Sequence, residues 1–145
     1  MPQSLTAAVE DYAKAIYTLE ERHGSASTND LATLLDVRPG SVSGMLRKLS
    51  GLGLVEHEPY RGVLLTERGR RVALEVIRHH RLLELFLVEN LGMTEDEVHA
   101  EAEVLEHALS EELEELIARK LGDPTVDPHG VPIPSRELTL PRETH

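Results

Sequence analysis

LATLLDVRPGSVSGMLRKL, residues 31–49, carries two apolar registers separated by the break DVRP. A short helix runs through about Leu35, and Val42, Met45, Leu46 and Leu49 form an apolar stripe on the next. Ser27 is placed to cap the first helix, with Asp30 three residues on, and Pro39 suits the first turn of the second. Ala32 is small where two helices cross closely, and Val37 is expected to plug the turn. The stretch reads as a helix-turn-helix that ends at GLG, residues 51–53.

Working outward, residues 6–22 place Val9, Tyr12, Ala15, Ile16 and Leu19 at helical spacing, and Gly24 is the stop. On the other side, LVEHEPYRGVLLT (54–66) reads as two short strands around a PYRG turn. Three helices and then a hairpin is the order of a winged helix-turn-helix. Beyond it, Thr66 caps a long helix over 67–91 closed by Gly92, and Thr94 with Glu97 forms a capping box for the next. Ser110 opens a last helix to about Leu121, closed by Gly122. The remainder, 123–145, holds five of the eight prolines and no apolar periodicity. The expected class is mainly α. A DNA-binding domain over 1–72 precedes an all-helical domain over 73–124, and 125–145 is a Pro-rich tail or linker.

Composition narrows the chemistry. With one Phe, no Trp and no Cys, the core is built from Leu, Val, Ile and Ala, and disulfides, thiolate nucleophiles and Cys-based zinc sites are excluded. The N-terminus lacks a basic, apolar leader. The most apolar run, LLELFLVENLG, is broken by Glu84 and Glu89 and is too short to span a bilayer. A soluble cytoplasmic protein with no membrane partner is expected. The net charge of −11 is unevenly spread. Residues 1–75 carry 9 basic and 10 acidic side chains, whereas 76–145 carry 6 and 16. Within 38–71 the balance is 7 basic to 3 acidic, a locally basic segment inside an acidic protein.

That basic segment holds a candidate DNA face. With Val42, Leu46 and Leu49 buried, Ser41, Ser43, Gly44, Arg47 and Lys48 form the outer side of the second helix. Short hydroxyl side chains and a helix N-terminus suit phosphates and base edges. Arg61 at the wing tip is placed for a backbone or minor groove, and Thr28, Arg38 and Pro39 complete the set. The same fold also serves as a protein-interaction module, with Arg47 and Lys48 merely solvated.

The acidic half poses a different question in VHAEAEVLEHAL, residues 98–109. At about 100° per residue, His99, Glu103, Glu106 and His107 share an arc of roughly 100° beside the core face of Val98, Ala102, Leu105 and Leu109. One helix earlier, in RHHRLLELF, His80 and Glu84 lie four apart on one face. Imidazoles and carboxylates without sulfur suit Mn²⁺, Fe²⁺, Co²⁺ or Zn²⁺. Spacing alone leaves two readings open, a metal-holding face or a solvated acidic one.

The chain resembles the metal-dependent repressors of the diphtheria toxin repressor and manganese transport regulator type over about residues 5–135. The marks are EDYAKAIYTLEE, VRPGSVSGMLRKL, YRGVLLTERG, RHHRLLE, VHAEAEVLEHALSEE and GVPIP, in that order. The resemblance implies a homodimer on a palindromic double-stranded operator, with a primary metal site of Asp11, Glu103, Glu106 and His107. It implies an ancillary site of His80, Glu84 and His99. Iron-responsive relatives have Met and Cys where this chain has Asp11 and Glu103. Two carboxylates there favour the harder Mn²⁺, with Fe²⁺ as the alternative and other divalent ions binding in vitro. Lys14 departs from the fused binuclear site of manganese-type members, and His99 is an iron-type ligand, so two separate sites are expected. Many relatives continue past GVPIP into an SH3-like domain, whereas this sequence ends at His145. The helices around 95–121, with Leu105, Leu113, Leu116, Ile117 and Leu121, are the expected dimer surface. No catalytic residues are expected. The rivals are a hydrolytic metal centre, for which no nucleophile is evident, and a metal-independent winged-helix regulator sensing an organic ligand or a partner protein.

Overall fold

The computed structural model describes residues 5–140. The chain divides into two compact units at Ala73/Leu74, inside the long helix.

In the first unit, α1 (Ala7–His23) starts where the Thr6 hydroxyl accepts from the Val9 amide, and stops at Gly24, whose left-handed backbone sends its N–H to the Glu20 carbonyl. The helix α2 (Thr28–Leu35) is capped by Ser27, which accepts from the Asp30 amide. Pro39 opens α3 (Pro39–Gly51). Arg38 occupies the N-cap of α3 but makes no side-chain capping bond there. Val9, Ile16, Leu31, Val42, Leu46 and Leu49 close the helical core together with Leu54 and Val63 of the hairpin region.

Val37 does not plug the α2–α3 turn, because it is 40% exposed. The turn is closed by backbone instead: Asp36 takes the left-handed conformation and the Val37 amide donates to the Ala32 carbonyl. The hairpin pairs β1 (Val55–Glu58) with β2 (Gly62–Leu65) antiparallel, Val55 facing Leu65 and Glu58 facing Gly62. Ala26 adds a bridge to Val63, with N–O distances of 3.0 and 2.9 Å. Two glycines are demanded by this closeness. A Cβ on Gly62, which also has φ +102°, would lie 2.0 Å from the Ala26 carbonyl oxygen, and one on Gly69 would lie 2.1 Å from that of Leu54.

The helix α4 (Glu67–Leu91) starts at Thr66, whose hydroxyl accepts from the Gly69 amide, and continues into the second unit. There α5 (Glu95–Leu105) has the full Thr94/Glu97 capping box, and α6 (Glu111–Lys120) is capped by Ser110. Leu82, Leu83, Leu85, Ala102, Ile117, Ala118 and Ile133 form its core. Ile117 is therefore a core residue and not part of an outer surface, whereas Leu113 and Leu116 are 48% and 56% exposed. The Pro-rich segment packs on this unit. Val126 bridges Pro132, Ile133 enters the core, and Arg78 and Arg81 donate to the carbonyls of Pro134 and Pro132. No described helix is long and apolar enough to cross a membrane.

Candidate functional site

In the first unit, the buried side of α3 turns Ser41, Ser43, Arg47 and Lys48 outward, with Arg38 and Pro39 exposed at its start. Thr28 is half-buried at the start of α2. Arg61 is exposed at the wing, where its amide donates to the Glu58 carbonyl and its own carbonyl accepts from the Ser25 hydroxyl. Beside it, Tyr60 stands fully exposed in a left-handed conformation. This face joins outward cations to the start of α3, where the N-cap residue Arg38 makes no side-chain capping bond.

The second unit gathers His80 and Glu84 of α4 with His99 of α5. His80 Nε2, His99 Nδ1 and Glu84 Oε2 stand 3.2 to 3.3 Å from one another. Donors at about 2.1 Å from one ion lie about 3.0–3.4 Å apart at octahedral to tetrahedral angles, so the triad has the separation a divalent cation needs. Glu84 is 2% exposed and His80 9%, while His99 reaches in from an exposed position.

The other nitrogen of His80, Nδ1, lies 2.5 Å from Glu106 Oε1. A carboxylate only accepts, so Nδ1 carries the proton and Nε2 is left to face Glu84 and His99, the tautomer a ligating histidine adopts. Burial alone pulls this imidazole down. Hydrogen bonds to Glu106 and Glu84, with their charges, outweigh it and push His80 up to about 9. For Glu84, burial raises the carboxyl, but hydrogen bonds and charge from His80, with His99 adding a further bond, bring it below the ordinary range. A cation held at Nε2 would have to displace a proton there.

The four residues read as one helical arc fall on two structures. The helix α5 ends at Leu105, Glu106 is its C-cap, and His107 lies in the turn before Ser110. Ser110 caps the next helix, so the chain turns before a further helical turn of α5 can form. Glu106 is buried, with Oε2 3.5 Å from His107 Nε2. Glu103 is half-exposed and approaches His99 Nε2 at 3.6 Å. Asp11 is half-buried on α1 in the first unit.

Two residues escaped the sequence reading. Asp127 and His129, assigned to a linker, bring a second donor group to Glu84. His129 Nδ1 lies 3.9 Å from both Glu84 Oε1 and Asp127 Oδ2, while Asp127 Oδ1 accepts the amides of His129 and Val131. Glu84 thus presents one oxygen to each of two triads. The DPHG stretch offered a signal, a His two residues after an Asp, but proline content obscured it.

The family signature described as "Iron dependent repressor, N-terminal DNA binding domain" matches residues 4–63, and "Iron dependent repressor, metal binding and dimerisation domain" matches 66–135. The chain is 39% identical over 105 residues to the HTH-type transcriptional regulator MntR of Geobacillus kaustophilus, covering 72% of this chain and 74% of that one. It is 39% identical over 125 residues to the iron-dependent repressor IdeR of Mycobacterium tuberculosis, covering 86% of this chain and 54% of IdeR. The solved structure of a manganese-dependent transcriptional repressor in complex with manganese superposes with a TM-score of 0.82 at 48% identity, covering 92% of this chain and 61% of that one. The chain thus spans little more than half the length of IdeR. Two signatures in tandem, matching both units, together with these identities, show that the chain belongs to the iron-dependent repressor family.

Proposed function

We propose that the chain is a metal-activated DNA-binding repressor, with Mn²⁺ favoured and Fe²⁺ the alternative. In this reading it acts as a cytoplasmic homodimer on a palindromic double-stranded operator and catalyses no reaction. The observation that carries the reading is the His80–Glu84–His99 triad, with donor atoms 3.2 to 3.3 Å apart and the far nitrogen of His80 held by Glu106.

The donor set fits a borderline to hard divalent ion, because it is made of imidazole and carboxylate without sulfur. Bound there, the ion supplies the positive charge that offsets repulsion among the crowded carboxylates. His80, Glu84 and His99 hold the ancillary position, and Asp127 and His129 extend the donors around Glu84. For the primary position we propose Asp11, Glu103, Glu106 and His107, as the family resemblance implies. The exposed side of α3, with Arg38, Pro39, Ser41, Ser43, Arg47 and Lys48, together with Thr28 at the start of α2 and Arg61 of the wing, then serves the operator.

The test is operator binding by fluorescence anisotropy while Mn²⁺, Fe²⁺ or Zn²⁺ is titrated into metal-free protein. Affinity that rises with Mn²⁺ in the unmodified chain, and not in Glu84→Ala or His107→Ala, supports the reading. Equal affinity with and without metal refutes it.

A further inference from the structure

We infer that His79 is a positioning residue that fixes the main chain of Glu106 and thereby tunes metal binding at that residue. The inference rests on the reading of Glu106 as a metal ligand.

His79 and His80 are consecutive on α4, so their side chains leave the helix about 100° apart. They grip Glu106 at two different points. His80 Nδ1 holds the carboxylate at 2.5 Å, and His79 Nδ1 holds the backbone carbonyl at 3.2 Å. That carbonyl belongs to the C-cap of α5, where the last carbonyls have no partner inside the helix. A donor from outside the helix satisfies it and suits the negative end of the dipole.

The ring of His79 is itself fixed. Its Nε2 lies 2.8 Å from Glu114 Oε1, and the second oxygen of Glu114 accepts from Arg78 Nε. A carbonyl and a carboxylate both accept only, so His79 donates from both nitrogens. The result is a largely buried chain of hydrogen bonds from the Glu106 carbonyl through His79 and Glu114 to Arg78. Arg78 completes it by donating to the Pro134 carbonyl. Glu106 follows the last turn of α5, and this brace fixes its main chain at the carbonyl while His80 holds its carboxylate. Partners of this kind, one step removed from the ion, typically change metal affinity about 10–100-fold when lost.

The two amide replacements of His79 separate the roles. In His79→Asn the side-chain N–H falls near the position of Nδ1 and keeps the bond to the Glu106 carbonyl while losing Glu114. In His79→Gln it falls near Nε2, keeping Glu114 and losing the carbonyl. Mn²⁺ binding to the full chain is measured by calorimetry, beside thermal unfolding of the metal-free proteins. Glu106→Ala identifies the site whose affinity depends on Glu106. The expected result is that His79→Gln weakens that same site about 10-fold or more and His79→Asn weakens it much less, although both lower the melting temperature. Equal Mn²⁺ affinity in the two variants, or losses that follow melting temperature alone, overturns the positioning role while leaving the metal reading standing. Absence of Mn²⁺ binding by the unmodified chain overturns both.

Discussion

Replacing Glu114 by Ala removes the carboxylate between Arg78 Nε at 2.5 Å and His79 Nε2 at 2.8 Å. The three side chains are 13%, 7% and 8% exposed, so water does little to replace the lost counter-charge. Breaking a buried ion pair by deleting one partner costs about 3–5 kcal/mol. Two features bring the expectation to the lower end. Arg78 keeps its bond to the Pro134 carbonyl at 2.9 Å, and His79 sheds its charge at modest cost near its ordinary pKa. A loss of about 3 kcal/mol is expected in metal-free protein at about pH 5.5.

The pH dependence has a definite sign. Burial raises the Glu114 carboxyl, but hydrogen bonds from His79 and Arg78 and their charges outweigh it, so its folded pKa is depressed. Its contribution is present above the ordinary 4.5 and is lost as pH falls through the depressed value. Burial lowers His79, but the hydrogen bond and charge of Glu114 outweigh it, so its folded pKa is raised. That contribution is present below the ordinary 6.5 and is lost as pH rises through the raised value. The gap between unmodified protein and Glu114→Ala is therefore widest between these two ordinary values and narrows on both sides. Urea unfolding followed by circular dichroism across that range measures it. A gap under about 1 kcal/mol at about pH 5.5, or one that grows from about pH 6 to 9, refutes the assignment of a buried, mutually charged group.

Gly69→Ala places a Cβ 2.1 Å from the Leu54 carbonyl, so the start of α4 must shift, and a loss of about 1–3 kcal/mol is expected in denaturant unfolding. Arg47→Ala and Arg61→Ala each remove two phosphate contacts per dimer, so each should flatten the dependence of log affinity on log salt by about 1.8, at about 0.9 per contact, in anisotropy titrations across salt concentrations. Unchanged slopes in both variants would remove α3 and the wing from the DNA interface. Leu113 and Leu116 are 48% and 56% exposed on α6, so charging both to Glu should leave the fold intact and shift sedimentation toward monomer. A dimer that survives this change is built on another face.

The parts of the fold that sequence made legible are those governed by local chemistry. Ser27, Pro39, Thr66, the Thr94/Glu97 pair and Ser110 mark helix starts through bonds to amides a few residues away, and those starts fall where their chemistry puts them. His80 and Glu84 were legible as a pair for the same reason, since four residues is one helical turn. What spacing could not supply depends on distant packing. A helical wheel drawn through His107 assumes a helix that the turn before Ser110 ends at Leu105. Ile117 shares its apolar stripe with Leu113, and only the fold of the second unit decides which one enters the core. Asp127 and His129 lie more than 40 residues after Glu84, in a segment without periodicity, and their approach to it is purely tertiary. His79 leaves no local trace in the sequence, because its partners Glu106 and Glu114 lie 27 and 35 residues away.

The uncapped start of α3 has an evolutionary consequence. Thr6, Ser27, Thr94 and Ser110 each close a helix start with a side-chain oxygen, and Thr66 does the same for α4, whereas Arg38 does not. An Asp at this position would stabilise the helix by about 1 kcal/mol. In the proposed operator-binding reading it would also put a negative charge where a phosphate approaches. On that reading, selection for thermal stability and selection for operator affinity pull position 38 in opposite directions, and stabilising substitutions recovered in a heat screen should be depleted of Asp there whenever repression is screened as well.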